Sequence, residues 1–268
     1  MATTSGTQNA QRGWEAAARG GYVVSGVLHV LIGLLALRVA FGSGGEQADQ
    51  SGALAAIAST PFGGVVLWFS VLAFVALGVW QLAKAIGKGA PGRSTATASG
   101  GDRAKAAGRA IVYLALAFTA LSFARGGGSD SSAQTQDLTA KLMSAPGGRL
   151  LVGAVGVAVI AVAGYHVFKG ATKKFLDDLR GLPPAPADSV ARRLGVLGYV
   201  GKGIALAVVG VLFVVAAATA DPSKSTGLDG AMHTLRGHPA GVVLLVVVAA
   251  GLVAYGVYSF VRARYGRI

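Results

Sequence analysis

The sequence predicts an all-α integral membrane protein with six transmembrane helices, laid out as three parallel tandem hairpin repeats in a pseudo-threefold bundle. Three observations carry that prediction. The first is a pattern written three times: a proline, a glycine two positions on, a small residue at plus fifteen, an aromatic at plus nineteen and a cation at plus twenty-three. The copies read Pro61, Gly63, Ala76, Trp80, Lys84; Pro146, Gly148, Ala161, Tyr165, Lys169; and Pro239, Gly241, Ala254, Tyr258, Arg262. Nineteen helical residues rise about 28 Å, close to the hydrocarbon thickness of a bilayer. The second is composition: 13% of residues are charged and 53% hydrophobic, where soluble domains carry about 25% charged residues. The third is charge placement. Seventeen Lys and Arg fall in the termini and the second and fourth connectors, and five in the first, third and fifth. The positive-inside rule then puts both termini in the cytoplasm of a cell whose plasma membrane the chain spans many times.

Each element follows in order. Residues 1–11 are polar and predict a disordered tail, and no short apolar core with a cleavage site follows, so the first span is expected to be retained. Apolar stretches at about residues 20–41, 62–86, 107–124, 148–168, 195–219 and 240–261 are each near the ~20 residues a span needs. They group into hairpin repeats over 12–88, 102–180 and 190–268, joined by cytoplasmic linkers at 89–101 and 181–189 that are rich in Gly, Ser and Pro. Proline suits the first turn of each even span, the aromatic its far interface and the cation the headgroups. The outer connectors hold apolar residues three and four apart, Ala53, Leu54 and Ile57; Leu138 and Leu142; Leu228, Ala231, Met232 and Leu235. That spacing predicts a short surface helix before each proline.

Odd spans carry small residues two turns apart: Gly26 and Gly33, Ala110 and Ala117, Gly203 and Gly210. Such stripes let transmembrane helices approach closely, so the odd spans are expected to pack together near a shared axis. Tyr22 and Tyr199 each stand four residues before the first glycine as interface aromatics.

The run Arg19-Gly20-Gly21-Tyr22, then Gly26, His29 and Ile32-Gly33-Leu34-Leu35-Ala36, with its counterpart Gly198-Tyr199, Gly203 and Gly210, resembles the bacterial membrane family catalogued as domain of unknown function 1206. The resemblance implies a two-helix unit repeated three times and brings no activity with it. The middle copy departs from it, with alanines at 110 and 117 and no tyrosine at the first position.

His29 is the candidate functional residue within the membrane, about 10 Å deeper than Tyr22 by helix rise. A titratable group there points to a proton relay or ligand contact, or to a hydrogen bond with a neighbouring helix. Its counterparts Tyr113 and Leu206 favour the bond. His166 follows an interface aromatic and lies too shallow to share a haem iron with His29. His233, His238 and Asp229 match no strong zinc spacing. Arg38 and Lys202 fall near span ends and are expected to snorkel to water. With no cysteine and no nucleophile, base and orienter set, neither an enzyme nor a cofactor or metal is expected.

Dispersed basic residues without interleaved aromatics argue against nucleic acid. The cations just beyond span ends, Lys84, Lys88, Arg93, Lys169, Lys173, Lys174, Arg262 and Arg264, are read as sites for anionic headgroups. Two function classes remain. One is a structural or accessory module that packs against lipids or a membrane-protein partner, and the other is a small pseudo-threefold channel or carrier for an ion, solute or lipid.

Overall fold

A computed structural model describes residues 3–42, 45, 47–87, 100–181 and 187–267. Nine α-helices occur among them: α1 Thr3–Ala40, α2 Gln50–Ala58, α3 Gly63–Ala85, α4 Gly100–Ala124, α5 Ser131–Met143, α6 Gly148–Ala171, α7 Ala187–Thr219, α8 Gly227–Arg236 and α9 Gly241–Tyr265. Short 3-10 turns lie at Lys174–Asp178 and Pro222–Lys224. Six helices are long and apolar enough to cross a membrane: α3, α4, α6, α7, α9 and the Arg19–Ala40 part of α1. Among the described residues the sole β feature is one antiparallel bridge between Leu179 and Gly266. Helix α1 starts at Thr3, so the polar tail expected to be disordered is helical from that residue on. Most of the linkers at 89–101 and 181–189, with Arg93, and the adjoining Lys88 lie outside the described residues.

The proline-glycine signature is a turn. Each proline sits one residue before the N-cap, at Pro61, Pro146 and Pro239, rather than inside the helix it precedes. Each glycine opens the span and donates its N–H three residues back, to Thr60, Ala145 or His238, at 2.8–2.9 Å. A Cβ at Gly63, Gly148 or Gly241 would collide with the carbonyl of Ile57, Leu142 or Leu235 at the end of the preceding short helix. Glycine is required because connector helix and span fold back with backbone against backbone.

The chain divides into two compact units, one of Met1–Gly21 and Leu54–Ser129, the other of Tyr22–Ala53 and Asp130–Arg267. These boundaries divide the first and second repeats and leave the third in the second unit. In the first unit α3 packs along α4. Its buried face runs Leu67, Ser70, Val71, Phe74, Gly78 and Gln81, and a Cβ on Gly78 would meet the Leu114 side chain at 2.7 Å. Ala106, Ala110, Ala117 and Ala120 form the buried stripe of α4.

In the second unit α7 packs along α6 and α9, and α1 also packs on α9. A Cβ on Gly26 would lie 2.9 Å from the Gly256 carbonyl, and one on Gly33 2.8 Å from that of Ala249. Gly203 and Gly210 stand in the same relation to the Ala163 and Gly156 carbonyls of α6, at 2.9 Å each. The small stripes of α1 and α7 therefore meet even spans, a correction to the expectation that odd spans pack on one another. The reason is a matching stripe seven residues apart in the even spans, Gly156 and Ala163 in α6, Ala249 and Gly256 in α9, which lets two backbones close on each other.

All three connector helices form. Ala231, Met232 and Leu235 of α8 are buried as the spacing predicts, whereas Leu138 of α5 is 60% exposed and Thr139 beside it is buried. Within the second unit the connectors are tied by polar bonds. Asp49 caps α2, accepting from the Ser51 and Gly52 N–H groups at 2.8 and 3.1 Å, and takes a further bond from the Ser131 hydroxyl. Asp229 accepts from the Ala48 N–H at 2.8 Å, and Ser132 donates to the Thr226 carbonyl at 2.9 Å. Burial pushes the Asp49 carboxyl above the usual carboxylate range, against those hydrogen bonds.

Candidate functional site

The second unit holds a cation-aromatic network. After α6, the turn Lys174–Asp178 folds back so that Phe175 is fully buried and Asp178 faces two cations. Phe175 stacks on Tyr199 at 5.5 Å and meets Tyr258 edge-on at 5.2 Å, in space left by Gly195, where a Cβ would strike the ring. Tyr258 donates to the Phe175 carbonyl at 3.1 Å. Lys169 contacts Asp178 at 2.7 Å and Arg262 contacts it at 3.2 Å. Arg262 also donates to the hydroxyls of Tyr199 and Tyr22 at 3.2 and 3.1 Å, and lies over the Tyr22 ring. The C-terminal segment is pinned to the same turn, with Arg267 N–H donating to the Asp178 carbonyl at 2.8 Å.

This placement changes two sequence readings. Tyr258 is buried in the ring cluster, not set at an interface, because Phe175 returns over it. Lys169 and Arg262 have side chains only 14% and 18% exposed, so the carboxylate of Asp178 answers their charge inside the protein. The 3-10 turn that does this was not foreseen; the signal was an apolar Phe175 between cations and the adjacent pair Asp177 and Asp178.

His29 lies one turn further along α1 from Gly26. Its Nδ1 donates to the Ser25 carbonyl at 2.7 Å, and its Nε2 accepts from the Lys202 ammonium at 3.2 Å. Lys202 also sits 4.2 Å from the Tyr255 ring centroid, and the His29 and Tyr255 rings are 4.7 Å apart. Lys202 therefore turns into the protein instead of snorkelling, because an imidazole acceptor and an aromatic face lie within its reach. Both ring nitrogens of His29 are engaged. The arrangement ties α1, α7 and α9 together and leaves no open position for a ligand. His166 bonds the Val162 carbonyl at 2.8 Å and faces Tyr199, and His233 approaches Asp229 at 3.6 Å. No three His, Asp or Glu side chains converge among the described residues.

Each unit also has a cleft with several cations in its lining. One, of about 450 Å³, is lined by Lys173, Ser189, Arg192, Arg193, Val196 and Leu197 in the second unit. The other, of about 390 Å³, lies in the first unit between the end of α3 (Gln81, Lys84) and the start of α4 (Asp102, Arg103, Lys105, Arg109). Lys84 lies 5.0 Å over the Trp80 ring and Lys174 lies 4.8 Å over Phe168, while Arg264 is exposed.

Residues 20–88, 104–173 and 197–266 each match the family described as Domain of Unknown Function (DUF1206). The chain belongs to this family. The DUF1206 chain is also similar to Uncharacterized protein YxxB of Bacillus subtilis (strain 168), 29% identical over 91% of this chain and 88% of that protein. No solved structure matches it.

The threefold DUF1206 match gives the geometry a register. Counting from each proline, the plus-seventeen residues Gly78, Ala163 and Gly256 are the buried small positions of the even spans, whereas at plus fifteen Ala76 and Ala161 are exposed. Cβ atoms on Gly78 and Gly256 would each meet a residue four beyond the facing small position, Leu114 and Val30. In the same register Lys173 takes the place of Lys88, and Lys202 the place of Arg109.

Proposed function

We propose that this DUF1206 protein is a non-enzymatic accessory module of the bacterial plasma membrane that holds anionic phospholipid at the cytoplasmic ends of its spans. Both termini face the cytoplasm in this reading, which the seventeen-to-five placement of basic residues supports. The observation that carries it is the largely apolar cleft whose lining includes Lys173, Arg192, Arg193, Val196 and Leu197. The cations suit a phosphodiester, and Leu197, 60% exposed, suits an acyl chain. Arg192 pairs with Asp188 at 2.8 Å, but both side chains are more than a third exposed, so the pair exchanges readily for a phosphate. Each cation near an anionic surface contributes about 1 kcal/mol.

The fully engaged bonds of His29 support a packing role for that residue and give no polar path for a carrier. Purification followed by native mass spectrometry tests the reading. The wild type is expected to retain anionic over zwitterionic lipid, and a Lys173→Ala/Arg193→Ala variant to lose most of that preference. Equal retention of both lipid classes by the wild type would overturn it.

A further inference from the structure

We propose that the cleft between α3 and α4 is a selective site for a phosphate ester that carries a hydroxyl or amine donor beside its phosphate. The inference rests on the anionic-lipid reading and goes further, because this cleft reads more of its ligand than charge.

Four cations, Lys84, Arg103, Lys105 and Arg109, line it against one carboxylate, Asp102. Arg103 is braced by its Nε donating to the Ala85 carbonyl at 3.1 Å, which fixes the guanidinium at the end of α3. Asp102 and Lys105 stand 3.8 Å apart with side chains 61% and 73% exposed, an exchangeable surface pair. These groups suit a phosphate. Gln81 adds the second requirement: the residue is 9% exposed, lines the cleft, and its Oε1 has no hydrogen-bond partner. A buried carbonyl oxygen without a donor is costly, so a ligand that brings an N–H or O–H gains from supplying one.

The register of the three copies isolates the feature. Gln81 stands twenty residues after its proline, as do His166 and Ser259. His166 donates to the Val162 carbonyl at 2.8 Å and Ser259 to the Tyr255 carbonyl at 2.8 Å, each four residues back in its own helix. In the first copy the same position carries an amide, whose oxygen can only accept and is left buried and unpaired. The Lys173 cleft has no such buried acceptor among its lining residues.

The test uses the full chain in detergent, with phosphatidylglycerol and phosphatidylmethanol of matched acyl chains competing in native mass spectrometry. The two lipids carry the same charge, but only the first has headgroup hydroxyls. The wild type is expected to favour phosphatidylglycerol about fivefold, the worth of one hydrogen bond. Gln81→Leu is expected to bind both equally while melting no lower than the wild type.

A soluble source of the same chemistry is tested by thermal shift in delipidated protein, with glycerol 1-phosphate against methyl phosphate. A larger shift with the former in the wild type, absent in Gln81→Leu, supports the site with a soluble ligand. No discrimination within either pair by the wild type overturns the inference, even where anionic lipid is still preferred over zwitterionic and Lys173→Ala/Arg193→Ala still lowers that preference. Loss of the anionic preference itself would instead remove the lipid reading beneath it.

Discussion

Replacing Gly33 by alanine is expected to loosen the contact between α1 and α9 and lower the melting temperature. The added Cβ would stand 2.7 Å from the Val253 methyl, 2.8 Å from the Ala249 carbonyl oxygen and 2.9 Å from the Val253 nitrogen, where ordinary contact is 3.4–4 Å. Two of the three obstacles are backbone, so no rotamer change relieves them and α1 must back away by on the order of 0.5 Å. That displacement also opens the Gly26 crossing two turns away. Overpacking of this kind costs about 1–3 kcal/mol, or roughly 2–10 °C in a chain of this size.

Gly164→Ala is the matched control. A Cβ there has nothing within 4 Å, and alanine is favoured in a helix by about 0.5–1 kcal/mol. Thermal melting in one detergent separates the two variants. A Gly33→Ala protein that melts at or above the wild type would refute the close-approach account of the small-residue stripes.

Further outcomes follow from the same contacts. His29→Leu leaves the Lys202 ammonium without its acceptor, so it should cost more than the ~0.6 kcal/mol average of a membrane polar pair, and Lys202→Met in the same chain should restore part of the loss; a double-mutant cycle with no coupling would contradict the bond. Asp49 is raised by burial, so the fold prefers its protonated form: stability should fall as pH rises from the ordinary carboxylate range through the raised one, and Asp49→Asn should flatten that slope in melts taken against pH. In this cysteine-free chain, impermeant thiol reagents added outside cells should label Ser223→Cys and not Lys174→Cys; the reverse pattern would invert the proposed topology.

Six spans were legible because each has enough apolar length to cross a bilayer and the even ones open on a proline-glycine turn. The connector helices were legible too, since their apolar residues recur at helical spacing. Partner choice was not. A stripe such as Gly26 and Gly33 announces close approach without saying to which helix, and the answering small residues of the even spans, Gly78, Ala163 and Gly256, lie two positions beyond the small residue of the repeated pattern. Lys202 was misplaced for a related reason: hydropathy gives its depth but not that His29 of another helix stands at hydrogen-bond distance. The burial of Lys169 and Arg262 depends on Asp178, which only the 3-10 turn brings back to them. Gln81 passed unnoticed because a polar residue near a span end is ordinary; its meaning came from a buried amide oxygen without a donor, where His166 and Ser259 bond within their own helices.

The most direct measurement for the central claim is a density map of the chain purified with its native lipids, read at the cleft of Lys173, Arg192 and Arg193. A phosphate within hydrogen-bond distance of those side chains, its acyl chain running along Val196 and Leu197, is the predicted result. Lipid ordered elsewhere on the spans with this cleft filled by water alone would contradict it.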